Sequence, residues 1–195
     1  CTLVARQFRA AGIEPTPGIA LCMVSGIISD TLHLRSPTTT DVDREILQWL
    51  NGFAAVDLET FVQEFFEVGS ALRSHEAAHV VREDCKEFVD RGHRFSISQI
   101  EEIGFELFWE RSSELHEALV ELSRARELDF SALLITDILS NGSLLLMSHE
   151  PEVWEQINYP RVERFLYKLE NVVSRKKQLL PLISQLLENA AASDA

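Results

Sequence analysis

A mixed α/β (α+β) fold is predicted, a helical N-terminal group followed by a domain that contains strands and flanking helices. Three observations predict it. Helical signals dominate through about residue 73. Periodicity then switches to two, with Val80, Val81, Phe95 and Ile97 in β-rich patterns. Finally, the apolar run Phe130–Ile138 leads through Asn141-Gly142 into a second apolar run at 143–148, the signature of a tight hairpin.

The elements follow in order. Residues 2–11 read as a helix stopped by Gly12. Thr16 can cap the next helix, and Pro17 suits its first turn, where a missing N–H costs nothing. Residues 18–28 are apolar nearly all round and are expected to be buried. Thr40 and Asp43 resemble a capping box for a helix over 41–50 with Ile46, Leu47 and Leu50 on one face. Asp57 can cap a helix running to about Arg73. Segments 78–89 and 93–103 predict a hairpin turning at Arg91-Gly92. Leu115, Leu119 and Leu122 mark an amphipathic helix over 111–127. A short helix is expected at 151–157, residues 164–173 are ambiguous, and Ser174 can cap a helix to about Asn189. Pro181 inside that helix implies a kink or a later start. The last six residues read as a frayed tail. A seam between parts of the chain is expected between Asn51 and Thr60.

Composition bounds function. The 195 residues carry 31 Asp+Glu against 18 Lys+Arg, a net charge of −13, with 46% hydrophobic residues. That is a globular mixture. It excludes a nucleic-acid binder held by a general basic field. Only Lys86, Lys168, Lys176 and Lys177 are lysines. No apolar run approaches the ~18–20 residues of a membrane span. Cys1, Cys22 and Cys85 fit no C-x-x-C pattern; buried or half-buried reduced thiols in a cytoplasmic protein are expected.

Three places could carry chemistry. Asp30 ends an apolar helix, where a buried carboxylate needs a partner or a metal, and Mg2+ and Mn2+ favour carboxylate oxygen. The bland alternative is a helix-end or loop residue. Ser174-Arg175-Lys176-Lys177-Gln178 puts three cations at an expected helix start, against the macrodipole, and a bound anion would relieve the conflict. A solvated basic turn is the alternative. Asp84-Cys85-Lys86-Glu87-Phe88 is unremarkable alone. The six histidines show no metal-ligand spacing; His75 and His79 are four apart without an H-E-x-x-H motif. Asp137 is expected to end its strand and order the turn at Asn141.

Three separated segments together resemble family II inorganic pyrophosphatases of the DHH phosphoesterase superfamily. Gly26–Leu32 with Arg35-Ser36-Pro37-Thr38 resembles the S-D-T…K/R-S-P-T segment, Asp84–Phe88 the D-x-K-x-F segment, and Ser174–Gln178 the S-R-K-K-Q signature. Leu134–Leu139 is similar to the strand and turn before the family's last helix. The resemblance implies that residues 1–55 are the C-terminal remnant of a DHH α/β domain and 60–190 a mixed-sheet DHH-associated C-terminal domain. It implies Asp30 as a carboxylate ligand of a manganese cluster, with Mg2+ or Co2+ as alternatives. Lys86, Arg175 and Lys176 would clamp pyrophosphate, with the active site in the interdomain cleft. No catalytic residue is assigned within this chain. The family's H-x-D-x-D and D-H-H motifs are absent, so these residues alone are expected to be inactive. The resemblance leaves a homodimer open, and no nucleic-acid or membrane partner is expected. The rival readings are an exopolyphosphatase or other small phosphoanhydride hydrolase of the DHH family, and a non-catalytic regulatory or partner-binding domain.

Overall fold

The computed structural model of the protein describes residues 1–193 and divides into two compact units, residues 1–69 and 70–195. The first unit is helical: α1 (Thr2–Ala10), α2 (Pro17–Thr31), α3 (Asp41–Ala54) and α4 (Leu58–Val68). Helix α2 packs on α3. It buries Ala20, Met23, Val24, Ile27 and Ile28 but leaves Ile19 and Cys22 exposed, so its all-round apolarity overstates its burial. Thr16 precedes α2 without a side-chain cap. The start of α3 is the expected capping box. Thr40 Oγ1 accepts from the Asp43 amide while Asp43 Oδ2 accepts from the Thr40 amide at 2.8 Å. The helix continues past Asn51-Gly52 and stops at Ala55 in a left-handed conformation. Helix α4 ends at Gly69 rather than near Arg73. A new short helix, α5 (Ala71–Ser74), starts there because the Ser70 hydroxyl caps the Arg73 amide.

The second unit is a six-stranded mixed sheet. After α6 (Ala77–Val80) come β1 (Lys86–Asp90), β2 (His93–Glu102), α7 (Glu106–Ala125), β3 (Phe130–Asp137), β4 (Gly142–Met147), β5 (Arg161–Glu163), β6 (Leu166–Glu170) and α8 (Leu180–Ser193). The order across the sheet is β1-β2-β3-β4-β6-β5. Strands β2 and β3 are parallel, joined through α7 as a crossover requires, and all other pairs are antiparallel. Side chains of β3 alternate between two cores. Leu133 and Ile135 pack with α7, α5 and α6, while Phe130, Ala132 and Leu134 pack with α8 and Trp154. Every residue of β3 is buried, which is why that strand reads as a continuous apolar run.

Several boundaries differ from the sequence expectation. The first strand of the hairpin starts at Lys86, not at 78. Val80 and Val81 end the α6 turn and are fully buried in the α7 core, and Asp84 breaks the chain direction with φ 39°. The turn at Arg91-Gly92 is as expected, with left-handed φ at both residues. Helix α7 begins five residues earlier than expected, at Glu106. Residues 164–173 contain β6, which pairs with β4. The expected short helix at 151–157 is a 3-10 turn over Glu152–Gln156. After Ser174 comes a widened π turn over Arg175–Leu179 and α8 starts only at Leu180, so Pro181 falls in its first turn, the later start that the proline implied. The expected frayed tail remains helical to Ser193; Asp194 and Ala195 lie outside the described residues. Cys1 and Cys22 are exposed and only Cys85 is half-buried, against the expectation of sheltered thiols. Among the described residues, no helix is long and apolar enough to cross a membrane.

Candidate functional site

In the first unit, Asp30 lies in the last turn of α2. Its side chain is 76% exposed, with one oxygen 3.8 Å from the Cys1 amino group, so the anticipated cost of burial does not arise. The backbone turns sharply just after it. Leu32, His33 and Leu34 all take left-handed φ, a run that residues with a Cβ avoid. Thr31 holds this turn. Its hydroxyl donates to the Ile27 carbonyl at 2.6 Å and accepts from the Leu34 amide at 3.0 Å, and its carbonyl accepts from the Arg35 and Ser36 amides. The Ser-Pro-Thr segment is closed by the Ser36 and Thr38 hydroxyls, 2.7 Å apart. Burial holds the His33 imidazole below its ordinary pKa, with the Arg35 charge acting in the same direction.

In the second unit, Lys86 and Arg175 converge on one carboxylate. Arg175 Nη2 donates to Asp84 Oδ2 at 2.8 Å, and Lys86 Nζ is 3.6 Å from Asp84 Oδ1. Arg175 Nη1 also donates to the Asp84 and Ile97 carbonyls. The Arg175 side chain is only 7% exposed, so one member of the supposed solvated basic run is a buried cation. Its backbone amide donates to Gln99 Oε1 at 3.1 Å, and Gln99 Nε2 donates to Glu101 Oε1 and to the Val173 carbonyl, each at 3.2 Å. Gln178 Oε1 accepts from the Val173 and Ser174 amides, and Gln178 Nε2 donates to the Asn171 carbonyl at 2.6 Å. The π turn is thereby stitched at both ends and its two exposed lysines, Lys176 and Lys177, remain on the surface. Among the described residues neither is in an ion pair.

Glu101 adds a second acid to this cluster. Burial pushes its carboxyl above the ordinary pKa, and the nearby Asp84 charge pushes the same way. Gln99 and Glu101 were not singled out from the sequence, yet a signal was there: they continue the β2 face of Phe95 and Ile97, where two polar residues interrupt an apolar alternation. Asp137 does what was expected of it. Burial raises its pKa, but hydrogen bonds from Ser140, Leu139 and Gly104 outweigh that and hold it below the usual carboxylate range.

The structure therefore brings together Lys86, Arg175 and Asp84, places Lys176 beside Arg175 in the chain, and leaves Asp30 in the other unit. Asp30 is a hard oxygen donor of the type that divalent Mn or Mg takes. It is one donor, however, and belongs to no cluster of three candidate ligands among the described residues.

The family profile of the DHHA2 domain matches residues 63–186. The chain belongs to the DHHA2 domain family. Its match covers the whole sheet, α5 to α7, the π turn and the first half of α8 in the second unit. The DHHA2 chain is 31% identical over 187 residues to a cobalt-dependent inorganic pyrophosphatase of Clostridium perfringens, covering 95% of this chain and 34% of that protein. It is 32% identical over 185 residues to a probable manganese-dependent inorganic pyrophosphatase of an Exiguobacterium species, covering 94% of this chain and 60% of that protein. Its fold is similar to the crystal structure of a Methanococcus jannaschii protein assigned to the family II inorganic pyrophosphatases. The TM-score is 0.79 and the identity 30%, over 96% of this chain and 64% of that one. The chain thus spans between a third and three fifths of the length of the curated relatives named here.

Proposed function

We propose that this chain is the C-terminal, substrate-gripping portion of a manganese-dependent inorganic pyrophosphatase, with Lys86, Arg175 and Lys176 binding pyrophosphate and Asp30 supplying one carboxylate ligand to a divalent cation. Residues 1–55 are then the end of a DHH domain and 60–190 its DHH-associated partner. The observation that carries the reading is the convergence of Lys86 and Arg175 on the two oxygens of Asp84. Two cations 89 residues apart in sequence hold one anion between them, and a phosphate group presents the same oxygen chemistry with greater charge. Arg recognises such groups bidentately and Lys as a point charge.

In this reading a phosphate arriving at Lys86 and Lys176 competes with Asp84 for Arg175. Lys176, exposed and unpaired among the described residues, is the cation that meets the substrate first. Fixed cations that hold phosphate oxygens also stabilise the charge that develops as the phosphoanhydride bond breaks. A bound divalent cation, Mn2+ or alternatively Mg2+ or Co2+, would supply Lewis acidity and an activated water. A single carboxylate such as Asp30 cannot hold the metals alone, so turnover needs ligands beyond this chain. A cytoplasmic location and a homodimer accompany the proposal as expectations of the same family reading.

The test is kinetic. In a full-length pyrophosphatase carrying this sequence, Lys176→Ala should lower kcat/KM for pyrophosphate by about 10- to 100-fold, the loss of one charge-assisted contact. Unchanged kinetics would remove Lys176 from the site. A larger kcat/KM for long-chain polyphosphate than for pyrophosphate would favour the exopolyphosphatase reading instead.

A further inference from the structure

Nine residues of the second unit gather two imidazoles and a carboxylate that the proposed pyrophosphate chemistry does not use. His75 follows α5, His79 lies in α6, and Glu83 sits one helical turn beyond His79. A ligand atom from each lies within 4.8 Å of the others. Glu83 Oε2 is 3.9 Å from His75 Nδ1 and 3.8 Å from His79 Nε2. The two rings are stacked, with centroids 4.2 Å apart and planes 14° apart. A second observation points to a missing partner: Glu83 Oε2 is shielded from solvent and accepts no hydrogen bond among the described residues. A shielded carboxylate oxygen without a donor is unfavourable unless a cation meets it.

We propose that His75, His79 and Glu83 form a site for a divalent transition metal of the Zn2+ class. Two neutral imidazoles with one carboxylate suit Zn2+, Co2+, Ni2+ or Cu2+, whereas Mg2+ and Mn2+ prefer all-oxygen shells. Zinc bonds of 2.0–2.1 Å in tetrahedral geometry place ligand atoms about 3.3 Å apart. The two carboxylate–imidazole separations need to contract by roughly half an ångström and the imidazole nitrogens, within 4.8 Å of each other, by up to about 1.5 Å, with the rings leaving their stack so that the metal lies in each ring plane; three partly exposed side chains have that torsional freedom. Ser74 Oγ lies 3.1 Å from His75 Nδ1, so metal capture through that nitrogen exchanges a hydroxyl contact for a coordinate bond. Three protein ligands leave a position open to water or a fourth donor.

The backbone beneath the triad is anchored, which limits the ordering needed on binding. Arg111 of α7 donates from Nη1 to the carbonyls of Leu72 and His75. Val80 and Val81, between His79 and Glu83, are fully buried. His75 and His79 lie outside any H-E-x-x-H motif. The ligands here instead follow an H-x-x-x-H-x-x-x-E spacing, which α6 and the turn after it wind onto one side. Occupancy would tie the link between α5 and α6 to the turn that carries Asp84, the residue after Glu83.

The experiment is a calorimetric titration of Zn2+ into the 195-residue chain, with Cys1, Cys22 and Cys85 alkylated so that thiols cannot contribute. Circular dichroism confirms that each variant is folded. One equivalent should bind, His79→Ala and Glu83→Gln should each weaken binding by at least about tenfold, and His93→Ala should leave it unchanged. Co2+ in place of Zn2+ should show ligand-field absorption without a sulfur charge-transfer band, and excess Mg2+ should not displace it. No saturable Zn2+ binding, or affinity in folded His79→Ala or Glu83→Gln equal to the unsubstituted chain, would overturn the proposal.

Discussion

Arg175 sits in the most basic run of an acidic chain, yet its guanidinium is buried and committed to Asp84 and to two backbone carbonyls. It is both a candidate phosphate ligand and the pin that fastens the π turn to β2. Arg175→Ala removes that pin and leaves the carbonyls and carboxylate without their donor. Because Asp84 is half exposed and can rehydrate, the expected loss is about 1–3 kcal/mol in urea unfolding of the chain, rather than the larger cost of breaking a wholly buried pair. Glu101 makes the opposite prediction. Burial raises its folded pKa above the ordinary carboxylate value, so between those two values the folded state holds a proton that the unfolded state has released. Stability then falls as pH rises from the unfolded value through the folded one. Glu101→Gln should raise the Tm at pH 7, and the gain should disappear in acid below the ordinary carboxylate pKa. A Tm gain that is the same at both pH values would show that the charge is not its cause. The family resemblance implies Lys86, Arg175 and Lys176 as a set, with Asp84 only a neighbour of Lys86 in its motif. Their mutual arrangement is not legible in the sequence, because the contact between Asp84 and Arg175 joins positions 91 apart.

At the scale of elements, local signals were reliable where the deciding interaction is itself local. The Thr40–Asp43 capping box spans four residues and forms as read. Thr40→Ala should cost about 1 kcal/mol, seen as a lower urea midpoint with unchanged m. Strand β3 was legible because both its faces are covered, leaving no polar alternation to confuse it. Leu134 in its middle is fully buried in the α8 core, so Leu134→Ala should cost about 2–5 kcal/mol by the same measurement. The misread elements share a different cause. Val80 and Val81 look like strand residues, but they are apolar because they sit under α7, and tertiary burial outranks β propensity. Helix α4 stops at Gly69 because the Ser70 hydroxyl caps α5 and donates to the buried carboxylate of Glu102, which also accepts from the Leu72 amide. Glu102 lies 32 residues from Ser70, beyond any local window.

For the whole molecule, the first unit holds the carboxylate proposed as a metal ligand, Asp30, and the second a cationic cluster. The 195-residue chain supplied with Mn2+ and pyrophosphate should release phosphate no faster than a protein-free control in a colorimetric assay. Turnover at rates typical of an enzyme would show that this chain carries a complete site, against the proposal. The acidic surplus of 13 charges still excludes a general polyanion binder, since the cations proposed to meet phosphate are few and grouped. By itself, the sequence determined the class of fold, the two hairpins, the amphipathic helix between the parallel strands, and the motif residues that mark the DHHA2 domain. The fold elements are written in periodicity or turn chemistry over a few consecutive residues, whereas the motif residues stand out only through their resemblance to a known family. Only the tertiary structure decided that Arg175 is buried on Asp84, that Gln99 and Gln178 hold the π turn, that Asp30 is exposed, and that two histidines and a glutamate share one corner. The physical reason is the same in each case: these outcomes depend on which distant groups remove a side chain from water or hydrogen-bond to it, and sequence spacing does not encode that proximity.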